Sequence, residues 1–145
     1  MMIESDIHEF CAALNVFYCG RFNYKKPYCN SWHNKINARS HKYTLTLSWD
    51  ASERKISITA ISFAKKNVGH GTALLALLVE LSGKYGYETI EYISVLTDAM
   101  KCFVQKFEFE NLPGAAWPGE PELPSKNWSK PVIDLKRLLQ DKNIS

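Results

Sequence analysis

The sequence predicts a mixed α/β (α+β) fold in which an antiparallel strand pair leads into a strand–helix–strand unit. Two stretches alternate apolar and polar residues and are rich in β-formers, Tyr43–Trp49 and Lys55–Phe63. Residues 50–54 join them at hairpin length, so the two strands should pair antiparallel. An apolar helical stretch, Thr72–Ser82, and a further strand, Thr89–Val95, follow. A strand, a helix and a strand in this order normally place the two strands parallel.

The N-terminal part of the chain combines a predicted helix with a basic aromatic segment. Apolar residues at helical spacing predict an amphipathic helix over 3–14. Residues 21–42, the basic aromatic segment, interleave Lys and Arg with Phe, Tyr and Trp and contain no acidic residue. Proteins that bind single-stranded nucleic acid use this pairing, with charge for phosphates and rings for bases. A solvated loop whose rings anchor it to the core explains the pattern equally, and both interpretations stay open.

Weaker patterns predict the C-terminal elements. Asp98 is expected to cap a short helix over Ala99–Lys106, and Phe107–Glu110 is expected to be extended. Residues 112–131 are rich in proline and tryptophan and are interpreted as a loop. Val132–Leu135 is interpreted as a last short strand, followed by a polar tail.

Composition indicates one folded, intracellular domain over residues 1–145. Hydrophobic residues make up 46% and charged residues 23%, with a net charge of +3, which is too small to indicate nucleic-acid binding alone. No apolar run approaches the roughly 18 residues that cross a bilayer. The acidic N-terminus does not resemble a signal peptide, so we expect a cytoplasmic protein with free thiols. The Cys and His spacings lack the close pairs of zinc sites, so no metal is expected.

A glycine-containing loop before the apolar helix is the strongest functional signal. Lys65, Lys66 and Asn67 precede Gly69 and Gly71, and the helix begins there. Unpaired N–H groups and the positive end of the helix dipole together favour phosphate at such a helix start. Glycine suits the position because it has no Cβ to block close approach of an anion. The loop therefore predicts a site for a phosphorylated cofactor.

These residues, in this order of elements, resemble the GNAT superfamily of acetyl-CoA-dependent N-acetyltransferases. The loop Lys66–Gly71 is similar to the family's cofactor motif, in which Gln or Arg stands where this chain has Lys66. Ala60–Ser62 resembles the strand that bonds the pantetheine arm, and Ala99–Phe109 resembles a later helix. The resemblance covers residues 43–110, between a divergent region, 1–40, and the final loop and strand, 112–135. It implies a mostly antiparallel sheet with a central parallel strand pair flanked by helices.

The resemblance also implies acetyl-CoA as cofactor and direct attack of an amine on its thioester. The residues expected to bind the cofactor are Ile61, Phe63, Lys66, Asn67, Val68, Gly69, His70, Gly71 and Thr72. The helix tyrosine that often protonates the leaving thiolate falls on Val104, which cannot donate. The catalytic candidates are then Tyr92, Glu91 and Cys102, with Glu53 and Asp98 as further acids.

Other functions stay open at this point. Without the helix tyrosine, the chain could bind acetyl-CoA or a protein partner without turnover, and residues 21–42 could bind nucleic acid. The acceptor amine could belong to a small molecule, a protein or an RNA, and a homodimer is a further expectation. An acidic group near the late loop, which includes Glu108 and Glu110, would attract a cationic amine, whereas the basic aromatic segment favours an acidic partner.

Overall fold

The computed structural model describes residues 3–22, 29–40, 43–50, 52–63, 69–93, 95, 97–113, 118–119 and 124–141. In chain order the elements are α1 (Ile3–Phe22), β1 (Cys29–Trp32), β2 (Lys35–Arg39), β3 (Tyr43–Asp50), β4 (Lys55–Phe63), α2 (His70–Tyr85), β5 (Thr89–Tyr92), α3 (Asp98–Lys106), β6 (Glu110–Pro113), β7 (Pro124–Pro131) and α4 (Val132–Asp141). None of the described helices is long and apolar enough to cross a membrane.

The strands form one 7-stranded sheet in the order β1-β2-β3-β4-β5-β7-β6. β4 and β5 pair parallel, and every other neighbouring pair is antiparallel. The predicted fold class is thereby confirmed: a mixed, mostly antiparallel sheet has one central parallel pair joined through a helix. The predicted β3–β4 hairpin is also confirmed.

The two faces of the sheet differ in polarity. The apolar face carries the buried residues Ile36, Ala38, Tyr43, Leu45, Leu47, Trp49, Ile56, Ile58, Ile90 and Tyr92. The opposite face, called the polar face below, carries Asn37, Thr46, Ser48, Asp50, Lys55, Ser57 and Glu91. Helix α1 packs on the apolar face, where Phe10 meets Trp49 edge-on at 5.2 Å between ring centroids and Tyr18 stacks on Tyr43 at 3.7 Å. Buried leucines of α2 and α4 belong to the same core.

The basic aromatic segment is partly a β-hairpin, which the sequence analysis did not predict. Within it, β1 pairs with β2, and Ile36 and Ala38 of β2 are core residues. Asn15 of α1 holds the edge strand, since Cys29 N–H donates to Asn15 Oδ1 at 2.8 Å and Asn15 Nδ2 donates to Cys29 O at 3.3 Å. Helix α1 accordingly extends to Phe22 rather than ending near residue 14.

The C-terminal predictions need the most correction. Val132–Leu135 is the start of helix α4, not a strand, because Val132, Leu135 and Leu139 form one buried helical stripe. The expected loop 112–131 contains the end of β6 and all of β7, and β7 is the final strand.

Smaller differences concern element ends. Residues 107–108 form a turn rather than extended chain, and β5 ends at Tyr92 rather than at residue 95. Thr97, not Asp98, caps α3, since its side chain accepts from the Met100 N–H. Helix α2 runs through Gly83 and ends at Gly86.

Candidate functional site

The parallel strands β4 and β5 diverge at the centre of the sheet. Their register runs from Lys55 opposite Thr89 to Ile58 opposite Tyr92, and the Ile93 N–H donates to Ile58 O at 2.9 Å. Strand β4 continues to Phe63, but over those last residues it pairs only with β3 within the described part of the chain. The edge of β4 that faces β5 is therefore open beyond Ile58.

A β-bulge explains the divergence. Ile58 pairs with Leu47 and Ala60 with Thr46, so Thr59 is one extra residue in β4. A bulge bends its strand and increases the local twist. Because this bulge follows directly on the last residue of the β4–β5 ladder, it turns β4 away from β5 where the predicted pantetheine strand begins.

Helix α2 starts with an exposed glycine cap. Gly69 has φ 81° and ψ 10°, and no side chain caps this helix start. A residue with a Cβ in this left-handed conformation costs about 1–2 kcal/mol, so the position favours glycine. The first turn contains no acidic residue. The Gly71 and Thr72 N–H groups precede the first intrahelical bond, from Ala73 N–H to Gly69 O, as the phosphate-site prediction requires.

The last turn of α1 lies beside this helix start. Arg21 Nε donates to His70 Nδ1 at 2.6 Å, and the Phe22 ring lies 4.6 Å from the His70 ring. A Cβ built on Gly69 would lie 3.6 Å from Arg21 Nη2. The guanidinium of Arg21 therefore places a positive charge beside the positive end of the α2 dipole, and both favour an anionic ligand. Sequence reasoning missed Arg21, because it lies far from the loop in the chain.

Phe103 connects the start of α2 to Tyr92. A Cβ on Gly71 would lie 3.4 Å from Phe103 Cε2, and the same ring meets Tyr92 edge-on with 5.9 Å between centroids. Tyr92 is 1% exposed, and its hydroxyl has no hydrogen-bond partner among the described residues. Burial raises the pKa of Tyr92, so the hydroxyl stays protonated at neutral pH. Tyr92, which carries this protonated hydroxyl, is the last residue of the β4–β5 ladder, opposite Ile58.

Glu91 lies on the opposite face, because successive residues of a strand alternate. It is 5% exposed, and its Oε1 accepts from Lys55 Nζ at 3.0 Å. Lys55 also pairs with the exposed Glu53 at 3.0 Å. The hydrogen bond that Lys55 donates to Glu53, and then the one it donates to Glu91, raises the pKa of Lys55. The neighbouring candidates Glu91 and Tyr92 therefore approach the divergence from different faces of the sheet.

The other predicted residues are placed less closely together. Cys102 and Asp98 are exposed on α3, whereas Val104 is fully buried. Ile61 is half-buried against the core. Lys66, Asn67 and Val68 lie outside the described residues, and so does the side chain of Phe63. Among the described residues, no group of three His, Cys, Asp or Glu side chains could hold a metal ion.

Comparisons with known proteins identify the fold. No protein-family model and no curated protein matches the chain. A GNAT-family acetyltransferase from Staphylococcus aureus Mu50 is similar, with a TM-score of 0.50, 14% identity, and coverage of 88% of this chain and 94% of that chain. The ribosomal-protein-S18-alanine N-acetyltransferase from Escherichia coli is also similar, with a TM-score of 0.50 and 12% identity. The match covers 70% of this chain and 72% of that chain. Nourseothricin acetyltransferase matches with a TM-score of 0.49 and 16% identity over 68% of this chain, which spans 64% of its length.

The chain thus has the fold of GNAT-family acetyltransferases, and the predicted resemblance is confirmed at that level. The identities of 12% and 14% establish the fold. Activity, cofactor and site residues follow as proposals from the geometry.

Proposed function

We propose that this protein is an acetyl-CoA-dependent N-acetyltransferase. The observation that carries the proposal is the bulged divergence of β4 from β5 together with the uncapped glycine start of α2. The contacts of Phe103 with both Gly71 and Tyr92 support their proximity. In the GNAT fold, this combination suits an elongated ligand with phosphate at one end and a reactive group at the other.

The start of α2 fits the pyrophosphate of coenzyme A. Gly69, His70, Gly71 and Thr72 would hold it through backbone N–H groups, and Arg21 would add charge. Lys66, Asn67 and Val68 belong to the same proposed set but lie outside the described residues. The open backbone edge of β4 near Ile61 and Phe63 would bind the pantetheine amides, as a further strand would.

Bound acetyl-CoA would supply a thioester that the amine attacks, so that a C–N bond forms, the C–S bond breaks and free coenzyme A leaves. Tyr92 would donate a proton to the leaving sulfur, because its hydroxyl is protonated and without a partner among the described residues, and because Tyr92 ends the β4–β5 ladder. The ammonium form of the amine loses two protons overall, one to the sulfur and one to solvent. We prefer Tyr92 to Cys102 as donor because Cys102 faces solvent on α3.

A ligand-induced rise in melting temperature tests cofactor binding. Acetyl-CoA at 100 times its dissociation constant should raise the free energy of unfolding by about 2.7 kcal/mol. Release of free thiol in the presence of an amine then separates an enzyme from a module that only binds. If the wild-type protein shows no rise with acetyl-CoA or coenzyme A, the proposed function is wrong.

Gly69→Asp is the sharpest variant for this test. Aspartate tolerates left-handed backbone better than most residues and is a good helix cap, so the fold should persist. Its carboxylate would occupy the phosphate position and remove the rise caused by acetyl-CoA. Gly119→Asp is the matched control, because Gly119 also has a positive φ, 89°, with open space around it. An equal loss in both variants would contradict the placement of the phosphate.

A further inference from the structure

The polar face of the sheet contains a row of short side chains around one buried carboxylate. Strand pairing places Ser48 opposite Ser57, Ser57 opposite Glu91, and Glu91 opposite Ser129. Directly opposed residues on neighbouring strands point to the same side of a sheet. Serine side chains are short, so Ser48 and Ser57 leave space above the sheet beside Glu91.

That space is a groove of about 540 Å³. Ser48, Ser57 and Glu91 contribute to its lining, together with Asp50, Lys55 and Ile93. Its volume falls within the roughly 300–1,000 Å³ of small-molecule sites. The groove therefore has the size and the polar lining of a site for a small hydrophilic ligand.

The charge of the groove favours a cation. Two carboxylates, Asp50 and Glu91, line it with one ammonium group, Lys55, and Lys55 is shared with a third carboxylate, Glu53. With Lys35, which is opposite Ser48 in the same row, these charged residues still sum to a net charge of −1. Glu91 is 5% exposed, so little water screens its attraction to an incoming ammonium. A carboxylate also accepts several hydrogen bonds at once, so Lys55 does not saturate it.

The groove reaches the point where β4 and β5 diverge. Ile93 lines it, and the Ile93 N–H makes the last bond of the parallel ladder, to Ile58. Tyr92, next to Glu91, faces the other side of the sheet, where the start of α2 lies. A ligand in the groove and an acyl group arriving from α2 would therefore approach the same gap from opposite faces.

We infer that this groove binds the acceptor, and that the acceptor is a small aliphatic amine with a net positive charge, held at Glu91. This inference rests on the proposed N-acetyltransferase function and adds the location and the charge class of the acceptor. An amine whose own carboxylate cancels its charge should bind poorly, because the groove repels a second anion.

Calorimetric titration with two amines of equal chain length tests the charge class without requiring turnover. The full chain should bind 1,4-diaminobutane at least about tenfold more tightly than 4-aminobutanoate, with or without coenzyme A. The two molecules differ at one end, where 4-aminobutanoate has a carboxylate in place of the second ammonium of the diamine. In the thiol-release assay, the same order should appear in KM. Equal binding of the two amines, or no binding of the diamine with or without coenzyme A, would overturn the inference.

Two variants test the placement. Glu91→Gln keeps the shape and should weaken diamine binding about tenfold to a hundredfold, by loss of a charge-assisted bond. Glu80→Gln makes the same change at an exposed position on α2, outside the groove, and should leave binding unchanged. Ser48→Ile should fill the groove with a residue that suits a strand, and it should also weaken binding. If Glu91→Gln and Ser48→Ile both bind the diamine as the wild type does, the site is elsewhere.

The outcome is separable from that of the proposed function. A protein that gains stability with acetyl-CoA but binds neither amine keeps its proposed function and contradicts the groove. A protein that binds the diamine through Glu91 but shows no effect of acetyl-CoA keeps the groove as a cation site and contradicts acetyl transfer.

Discussion

Replacing Tyr92 with phenylalanine should stabilise the protein while slowing its reaction. The hydroxyl is buried and has no partner among the described residues. A buried polar group without a partner costs about 1–3 kcal/mol, so its removal should raise the free energy of unfolding by about 1 kcal/mol. For a chain of this size, that gain corresponds to a rise in melting temperature of about 2–4 °C. The ring contacts with Phe103 and Phe109 are retained in the variant.

The same substitution should lower kcat by about 100-fold, which is the low end of the rate effects of general acid catalysis. The low end is expected because a thiolate is a stable leaving group even without a proton. Urea unfolding measures the first effect, and thiol release from acetyl-CoA measures the second. Because burial raises the pKa of Tyr92, no loss of activity from its ionisation is expected below pH about 10.

Tyr18→Phe is the matched control. Tyr18 is equally buried and its hydroxyl has no partner in the described part of the chain, but it belongs to α1, where its ring stacks on Tyr43, and not to either parallel strand. This variant should gain similar stability and keep its kcat. A Tyr92→Phe variant with unchanged kcat would refute the assignment of the proton donor, and one that is less stable would show that the hydroxyl is hydrogen-bonded.

Three further outcomes follow from the described contacts. Gly86→Ala should destabilise the protein by at least about 1–2 kcal/mol in thermal unfolding, because φ is 79° and the new Cβ would lie 2.6 Å from Arg54 Nη2. Thiol labelling should modify exposed Cys102 within minutes but reach Cys29 only on unfolding, since burial raises the pKa of Cys29 to about 12. Burial and a neighbouring carboxylate raise the pKa of Tyr87, so unfolding free energy should fall as pH rises above about 10, and less steeply in Tyr87→Phe.

The sequence predicted the elements whose patterns are local and strong. Alternation over Tyr43–Trp49 and Lys55–Phe63 sufficed for the hairpin, and the apolar stretch that follows Gly71 sufficed for α2. Strand β2 was missed because only Ile36 and Ala38 interrupt its polar residues. Helix α4 was missed because its first residues form a short apolar run, which periodicity cannot assign to strand or helix.

The candidate site likewise has features that the local sequence predicts and features that depend on long-range contacts. The glycine start of α2 was predictable because two glycines precede an apolar run, whereas the role of Gly69 in cofactor binding stays a prediction. The pairing of Glu91 with Lys55 and the isolation of the Tyr92 hydroxyl depend on the register between strands far apart in the chain. Arg21 reaches the same helix start only because α1 extends to Phe22. Such long-range placements leave no local pattern in a sequence.

The extra residue in β4 makes this strand sensitive to length rather than to composition. Before the bulge, Ile56 and Ile58 face the core, and after it Ile61, opposite Leu45, takes over that face. Many substitutions of the exposed Thr59 should be tolerated. Its deletion would leave Ile58, Ala60 and Ile61 with their present partners in β3 and in regular alternation, so the bulge would disappear. The strand would then continue straight along β5, and the gap on which both proposed ligands converge would close. In genetic terms, the proposed reactive centre depends on an insertion, so variants of this protein that lose one codon here should fold but lack the gap.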